Sequence, residues 1–596
     1  VNLYRLLLVV CILLAGLSAR AVRAQDVPAG GAGDGPPIDI TCVGVMAPAV
    51  VHVKATLLRD AAGNDLGSPL DYRFEWNFGD PAGRYNVLPG WNASHVYDRP
   101  GKYTITLTVR GAGRVMTRST WIRIAPDQRS RIYVSAEGND AGDGGDPRRP
   151  VRSVARAMQL ARGDAWVLFR RGDVFDVPGS ALVNAQGLRL GSYSRDPNDW
   201  RAGVQLPVPA DVAARLPPPA PPPVLRKTQG PPRSESMFVI QNKATDILAE
   251  NITFDSQWGL QSEYGSKKIP ARAFTVGGTN FAVRWCTFKN LTDGLNTELR
   301  PTGVMVQECT FTDEIRGYGV YSNGQDHVYI GNKMGQSRQE HMIRATEPGV
   351  TRVLVAYNDL RRTNQIKGSL ELRCASWFTV ACNYFNDGTC RVGPQEQDKN
   401  QYPNWKEIRC EYGVVQDNRL DDLFFNVRLG TYHVIFRNNV IRLNKDTDWA
   451  IILACEKPGY DDVRKIGNVR IEDNTIINLG TKGQMIFVHG KPAGITIKRN
   501  AYIAPNVKDI GNAGGVFFSD PDVSGVVAIE GNVWPAGRGG QHFVGGKPVD
   551  RTKWQDGRVV KGERYGPIPF DENDNVPIES NAGALLGNDR KQRSRP

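Results

Sequence analysis

Between residues 340 and 442 the chain alternates apolar and polar positions in short runs, and four of them close on an arginine: His341-Met-Ile-Arg344, Ser369-Leu-Glu-Leu-Arg373, Trp405-Lys-Glu-Ile-Arg409 and Phe424-Phe-Asn-Val-Arg428. Each is followed by a second run written apolar-x-apolar and ending in asparagine, as in Val353-Leu-Val-Ala-Tyr-Asn358 and Phe378-Thr-Val-Ala-Cys-Asn383. Alternation with period two predicts strands whose successive side chains face opposite ways. Ile343, Leu372, Ile408 and Val427 are therefore expected inside, with Arg344, Arg373, Arg409 and Arg428 outside. The second run recurs with its key position at Asn251, Cys286, Cys309, Asn332, Asn358, Asn383, Asn418, Asn439, Asn474, Asn500 and Asn532, at intervals of 21 to 35 residues. Such self-similarity predicts a solenoid rather than a closed barrel. Asparagine tolerates left-handed backbone angles and its amide bonds to the coils above and below, so this column reads as structural. The fold class expected is all-β, with a parallel β-helix over 131–536. Stacked at about 4.8 Å per coil, the four guanidinium groups would form one exposed column.

The repeat is flanked by segments of other kinds. Residues 38–125 read as short alternating strands, among them Val50-Val-His-Val-Lys-Ala-Thr56, Tyr72-Arg-Phe-Glu-Trp-Asn77 and Tyr103-Thr-Ile-Thr-Leu-Thr-Val109, which predicts a small β-sandwich. Val151, Val154, Ala155, Met158 and Ala161 mark the apolar face of a short helix suited to cap the open end of a solenoid. Residues 206–232 are proline-rich and unable to extend a ladder, so they are expected to leave an early coil as an excursion. After Trp534 the pattern fades, and 537–596 is expected to form a cap and a basic tail.

A hydrophobic share of 40% and a charged share of 23% fit a globular chain and indicate neither a membrane protein nor disorder. Arg5, the apolar run from Leu6 to Leu17 and the small residues up to Ala24 read as a signal peptide over 1–24, followed by a flexible Gly/Pro/Ala lead over 25–37. No later run is long enough to span a bilayer, so the protein is expected to be secreted or at the cell surface, as a monomer. The net charge of +12 suits an acidic partner, or simply a solvated basic surface. Nothing points to nucleic acid. Cysteines at matching strand positions read as stacked thiols, with Cys382–Cys390 the one disulfide left open. No Cys/His cluster suggests zinc; Asp140, Asp143 and Asp146 among glycines suit either calcium or, more commonly, a solvated turn, and no metal or other cofactor is assigned.

Phe74-Glu-Trp-Asn-Phe-Gly-Asp80, His95-Val-Tyr97 and Pro100-Gly-Lys-Tyr-Thr-Ile-Thr-Leu-Thr-Val109 resemble the polycystic-kidney-disease (PKD) repeat family, which implies an Ig-like module that spaces or attaches a partner domain. Ile132-Tyr-Val-Ser-Ala-Glu-Gly-Asn-Asp140 and the helix after it resemble the opening of secreted right-handed β-helix proteins of the pectate-lyase-like superfamily. Ile366-Lys-Gly-Ser-Leu-Glu-Leu-Arg373 with Phe378-Thr-Val-Ala-Cys-Asn-Tyr-Phe385 loosely resembles the alginate-lyase and chondroitinase B type of lyase. That resemblance implies Lys367 as base and Arg373 as its partner, although in that family the two lie on different coils.

An outward arginine column matches a polymer with one oxyanion per residue, because guanidinium binds carboxylate or sulfate bidentately. Arg409, Arg428, Glu371, Glu407, Trp405 and Trp449 are the candidate substrate contacts, with loops 387–404, 444–449 and 456–466 as groove walls and Tyr460 as a further ring. For β-elimination on a uronic-acid polymer, Arg344, Arg373 and Arg409 would neutralise the carboxylate, Lys367 would take the proton and Tyr412 or His341 would return one. Glycoside hydrolysis needs two facing carboxylates, with Glu371, Glu407, Glu411, Asp421 and Asp422 as candidates. A third reading is an adhesion protein whose Arg and Glu residues neutralise one another in a ladder.

Overall fold

The computed structural model describes residues 32–55, 59, 63, 65–194, 220–227, 235–256, 271–361, 367–394, 398–428, 430–454, 466–508, 514–550 and 559–566. The segment 1–24 read as a signal peptide and the loop around Tyr460 lie outside them, as do most of the lead, of the proline-rich segment and of the tail. Apolar side chains at every second position bury one face of each strand, and two long sheets close around the shared interior as a right-handed parallel β-helix. One sheet orders 15 described strands from Ser130–Val134 to Val560–Lys561. The other holds 26 described strands, from Val174–Asp176 to Arg564–Tyr565. They pair as two ladders, one through Val174–Asp176, Val224–Arg226 and Thr253–Asp255 and one through Ala181–Val183, Ser236–Ile240 and Arg272–Val276, joined where Tyr384–Val392 and Arg419–Val427 run along both. Ser153 caps the predicted helix at Val154–Leu160; Val154 and Ala157 close the core, while Ala155 faces solvent.

The asparagine column is a continuous ladder. Asn358 receives a bond from the backbone N–H and the amide of Asn332 (2.9 Å each) and gives the same pair to Asn383, and the series runs on to Asn532. Glu563 closes it by accepting from the Asn532 N–H and amide. The residue before each ladder member takes a left-handed backbone, as at Tyr357, Cys382 and Asp417. Asn251 holds that preceding position, so its coil places Ile252, not Asn251, in line with Cys286 and Cys309. Cys390 is a thiol in the core while Cys382 sits on a half-exposed turn, which removes the Cys382–Cys390 disulfide.

Two boundaries move. After its prolines the chain rejoins the ladder at Val224–Arg226, between Val174–Asp176 and Thr253–Asp255. Val560–Lys561 and Arg564–Tyr565 still pair onto the two sheets, which extends the β-helix past 536.

Residues 32–125 form a β-sandwich of five and three strands around Trp76, Phe78, Trp91 and Tyr97. It is not a tethered spacer. It lies flat on the outer face of the 15-stranded sheet, called here the docked sheet, whose outward column reads Arg189, Leu248, Ala282, Met305, Val328, Leu354, Thr379, Val414, Ile435 and Arg470. The residues from Leu248 to Ile435 are buried, the apolar ones within the same cluster as the sandwich core. Strands buried on both faces read as nearly unbroken apolar runs, as in Val304-Met-Val306 and Val353-Leu-Val355. Arginines fasten the edges: Arg189 to the Pro48 carbonyl (3.0 Å) and Asp246 (2.9 Å), Arg284 to Asp98 (2.6 Å), Arg437 to the carbonyls of Leu70 and Tyr72 (3.0 Å each), and Arg470 to Asp71 (2.5 Å).

Candidate functional site

Among the described residues, outward side chains of the 26-stranded sheet such as Tyr321, Arg344, Arg391 and Phe487 are partly exposed, and its central coils bring charged groups together. The outward column there runs Tyr321, Arg344, Glu371, Arg391, Asn426, Ile452 and Phe487. Arg344 thus pairs with Glu371, not Arg373. Arg373 and Arg428 belong to the next outward row, each just past the end of its strand with Gly393 between them, and His489 continues that row. Arg409 leaves the column altogether: it follows a 3-10 turn at Trp405–Glu407, its guanidinium folds back on the Lys406 carbonyl (2.6 Å) and it lies over the Tyr432 ring. The single column of four arginines is therefore corrected to two short rows and one displaced member.

The two rows converge on Glu371, whose side chain is fully enclosed. Arg344 Nε lies 2.9 Å from one carboxylate oxygen and Arg428 Nη1 2.9 Å from the other. His341 Nε2 is 3.1 Å from Glu371 as well, while its Nδ1 accepts from the Gly368 N–H at 2.9 Å, so the proton is assigned to Nε2. Burial pushes His341 down to about 3 despite the pull of Glu371. Burial alone would raise Glu371, but His341, Arg428, Arg344 and Arg391 outweigh it and hold the carboxyl at about 2. A neutral imidazole and a permanent carboxylate follow, and neither is placed to move a proton at neutral pH.

Arg344 also donates to the Tyr318 hydroxyl at 2.5 Å. Burial pushes the Tyr318 phenol up, which keeps its proton on at neutral pH. Glu340 bridges to the far side, 4.0 Å from Arg344 and 3.2 Å from the ammonium of Lys367, which is a third exposed. Among the described residues, Arg344, Arg391 and Arg428 stand around the Glu371 carboxylate, with Arg373 in the adjacent row and Lys367 at Glu340. Arg344 and Arg428 keep 13% and 17% of their side chains accessible. A cation-rich face in partial contact with solvent can hold a further oxyanion without desolvating it completely.

The segment at 398–409 forms one wall. Gln401 accepts from Arg373, itself buried, and burial together with the nearby Glu347 carboxylate pushes the Tyr402 phenol up. Trp405 is half-buried on this wall with Lys406 beside its ring, and Glu407 is exposed there. Trp449 stands further along the axis, its ring stacked on Phe487.

Tyr412 is not in the site. It occupies a left-handed turn at the edge of the docked sheet, stacked between Trp377 (4.6 Å) and His433 (5.0 Å). That corrects its role as proton donor. His433 aligns with Tyr412 in this turn, whereas His327 lies one position later and is buried. The hydrolase carboxylates are dispersed, with Glu411 beside Tyr412, Asp421 bonded to Tyr384 and Arg419, and Asp422 capping Asn444. Asp140, Asp143 and Asp146 each accept backbone N–H groups of their own loop, and among the described residues no three His, Cys, Asp or Glu side chains are placed to hold a metal ion.

Sequence reasoning missed Tyr318 and Arg391. Arg391 was hidden because the strand Tyr384–Val392 runs through a left-handed bend at Asp387-Gly388 that reads as a loop. Tyr318 lies in a turn before its strand, where alternation says nothing about direction.

The PKD domain family matches residues 43–123. No curated protein matches the chain. Among solved structures the chain is similar to the GH136 lacto-N-biosidase of Eubacterium ramulus (13% identity, TM-score 0.34), over 65% of this chain and 66% of that one, just under two thirds of its length. It is also similar to an alginate lyase in complex with G6 (12% identity, 73% of this chain and 90% of that one, TM-score 0.40). A third is the Yersinia enterocolitica family 28 exopolygalacturonase (11% identity, 91% and 100%, TM-score 0.37). At these scores the likeness transfers no residue roles. The chain carries a PKD domain docked on a right-handed parallel β-helix.

Proposed function

We propose that the protein is a secreted polysaccharide lyase that holds an acidic glycan on the open sheet and cleaves it by β-elimination. The observation that carries this reading is the meeting of Arg344, Arg428 and Lys367 with the Glu371 and Glu340 carboxylates while their side chains keep 13%, 17% and 32% solvent contact. In this reading Glu371 and His341 are positioning residues that hold Arg344 and Arg428 in place, and Arg344 with Arg391 neutralises the substrate carboxylate. That neutralisation makes the hydrogen alpha to the carboxylate acidic. Lys367, after its ammonium has released a proton to solvent, takes that proton, the C–O bond beta to the carboxylate breaks as the C=C bond forms, and Tyr318 protonates the departing oxygen. Arg373, beneath the 398–409 wall, supports the site rather than touching the sugar.

A second reading rests on the same ion pairs. Arg344 and Arg428 are satisfied by Glu371, as an adhesion protein with a self-neutralised ladder requires. Incubation with a panel of uronic-acid polymers separates the two. The lyase reading expects ultraviolet absorbance from a new unsaturated sugar, lost in Lys367→Ala and Tyr318→Phe. Binding without product would establish the adhesin, and new reducing ends without unsaturation would establish a hydrolase.

A further inference from the structure

Aromatic rings flank the charged centre along the axis of the β-helix. On the N-terminal side Tyr318 and Tyr321 lie with ring centroids 5.0 Å apart, and both are half-buried. On the C-terminal side Phe424, Trp449 and Phe487 are in ring contact, Phe424 to Trp449 at 6.3 Å and Trp449 to Phe487 at 5.5 Å and nearly parallel. Phe487 points outward, since Ile486 and Val488 on either side of it enter the core. Phe424 does the same beside Phe425. Asn426 and Ile452 join the two zones in the same ladder column, with no charged residue between Arg391 and Phe487.

We infer that Phe424, Trp449 and Phe487 form an extended subsite for sugar faces, so that the glycan lies along the β-helix axis and is bound by its length as well as its charge. This inference rests on the reading of the Arg344–Glu371–Arg391 centre as an acidic-glycan site. Three ladder steps separate Arg391 from Phe487 and five separate Arg344 from it, which at strand spacing is about 14 and 24 Å. Only an oligosaccharide of several residues reaches both the guanidinium groups and the far rings. Pyranose rings present flat C–H faces, and half-buried outward rings beside an oxyanion site offer the apolar surface to match. The occupant is thus one chain whose carboxylates lie at the centre and whose later residues rest on Trp449 and Phe487.

The test measures binding of galacturonic-acid and mannuronic-acid oligomers of two, four and eight residues to the full chain and to Trp449→Ala, Phe487→Ala, Phe487→Leu and Arg344→Ala. Phe487→Leu keeps the apolar bulk and guards against a folding defect. The expected result is that Trp449→Ala and both Phe487 variants weaken the eight-residue oligomer about three- to tenfold and leave the two-residue oligomer unchanged. Arg344→Ala is expected to weaken every length. Unchanged eight-residue affinity in the ring variants, or an equal loss at all lengths, overturns the extended subsite. A length-dependent loss in the ring variants with no effect of Arg344→Ala keeps the subsite and overturns the charged-centre reading instead.

Discussion

On the docked sheet the outward column is apolar from Leu248 through Ile435 apart from Thr379, with an arginine at either end; on the open sheet the matching column carries Arg344, Glu371 and Arg391 and then turns aromatic. The two sheets share one interior and one strand geometry, so their difference lies wholly in side chains pointing away from the core. The apolar column demands a cover and the PKD domain supplies it. The charged column pairs Arg344 and Glu371 on a face where Arg344 and Arg391 are still partly exposed. A β-helix has more than one outer face, and here one is covered by the sandwich while another carries the charged cluster proposed as the glycan site.

The largest effect should come from putting a charge into the covered column. Leu354→Asp, at a fully buried position between the sandwich and the β-helix, should cost on the order of 5 kcal/mol and give insoluble protein or separate unfolding of the two parts. A single calorimetric transition at the wild-type temperature would break the comparison. Next, Glu371→Gln leaves Arg344 and Arg428 enclosed without their carboxylate and should cost about 3–5 kcal/mol in denaturant unfolding. Adding Arg428→Met should recover part of that loss.

Acid should affect both faces below pH 6.5, with a second, lower window on the open face alone. His52 and His327 are buried where the sandwich meets the docked sheet, and burial lowers them to about 3 and about 4. Their unfolded value is near 6.5, so the unfolded chain takes the proton first and stability falls as pH drops below 6.5, by about 1.4 kcal/mol per pH unit for each ring, until the folded values are reached. His341 on the open face adds a similar slope. Glu371, held at about 2, contributes stability that is present above its unfolded value near 4.5 and is lost as pH falls towards 2. Unfolding free energies measured between pH 7 and 4.5 should therefore flatten in His52→Asn/His327→Gln and keep the His341 part. The smallest effect is Tyr412→Ala, expected to cost about 1 kcal/mol through its lost stacking on Trp377 and His433 and to leave glycan binding and turnover unchanged.

Alternation and the recurring asparagine were enough to read the β-helix, its structural ladder and the inward residues, because strand period and coil repeat are local properties of the chain. The PKD words placed the sandwich for the same reason. The docking of that sandwich was also written in the sequence, in strands such as Val304-Met-Val306 that are apolar at both parities, but this signal names no partner. Register was not readable. A strand moved by two residues keeps every side chain on its own face, so the runs ending in Arg344 and Arg373 look equivalent although the ladder aligns Arg344 with Glu371. A 3-10 turn before Arg409 and a bend at Asp387-Gly388 changed which residues reach the column, sending Arg409 away and bringing Arg391 in. The sequence by itself determined which side chains face outward; only the stacked tertiary structure decided which of them meet, because contact between coils depends on the length and shape of every turn between them.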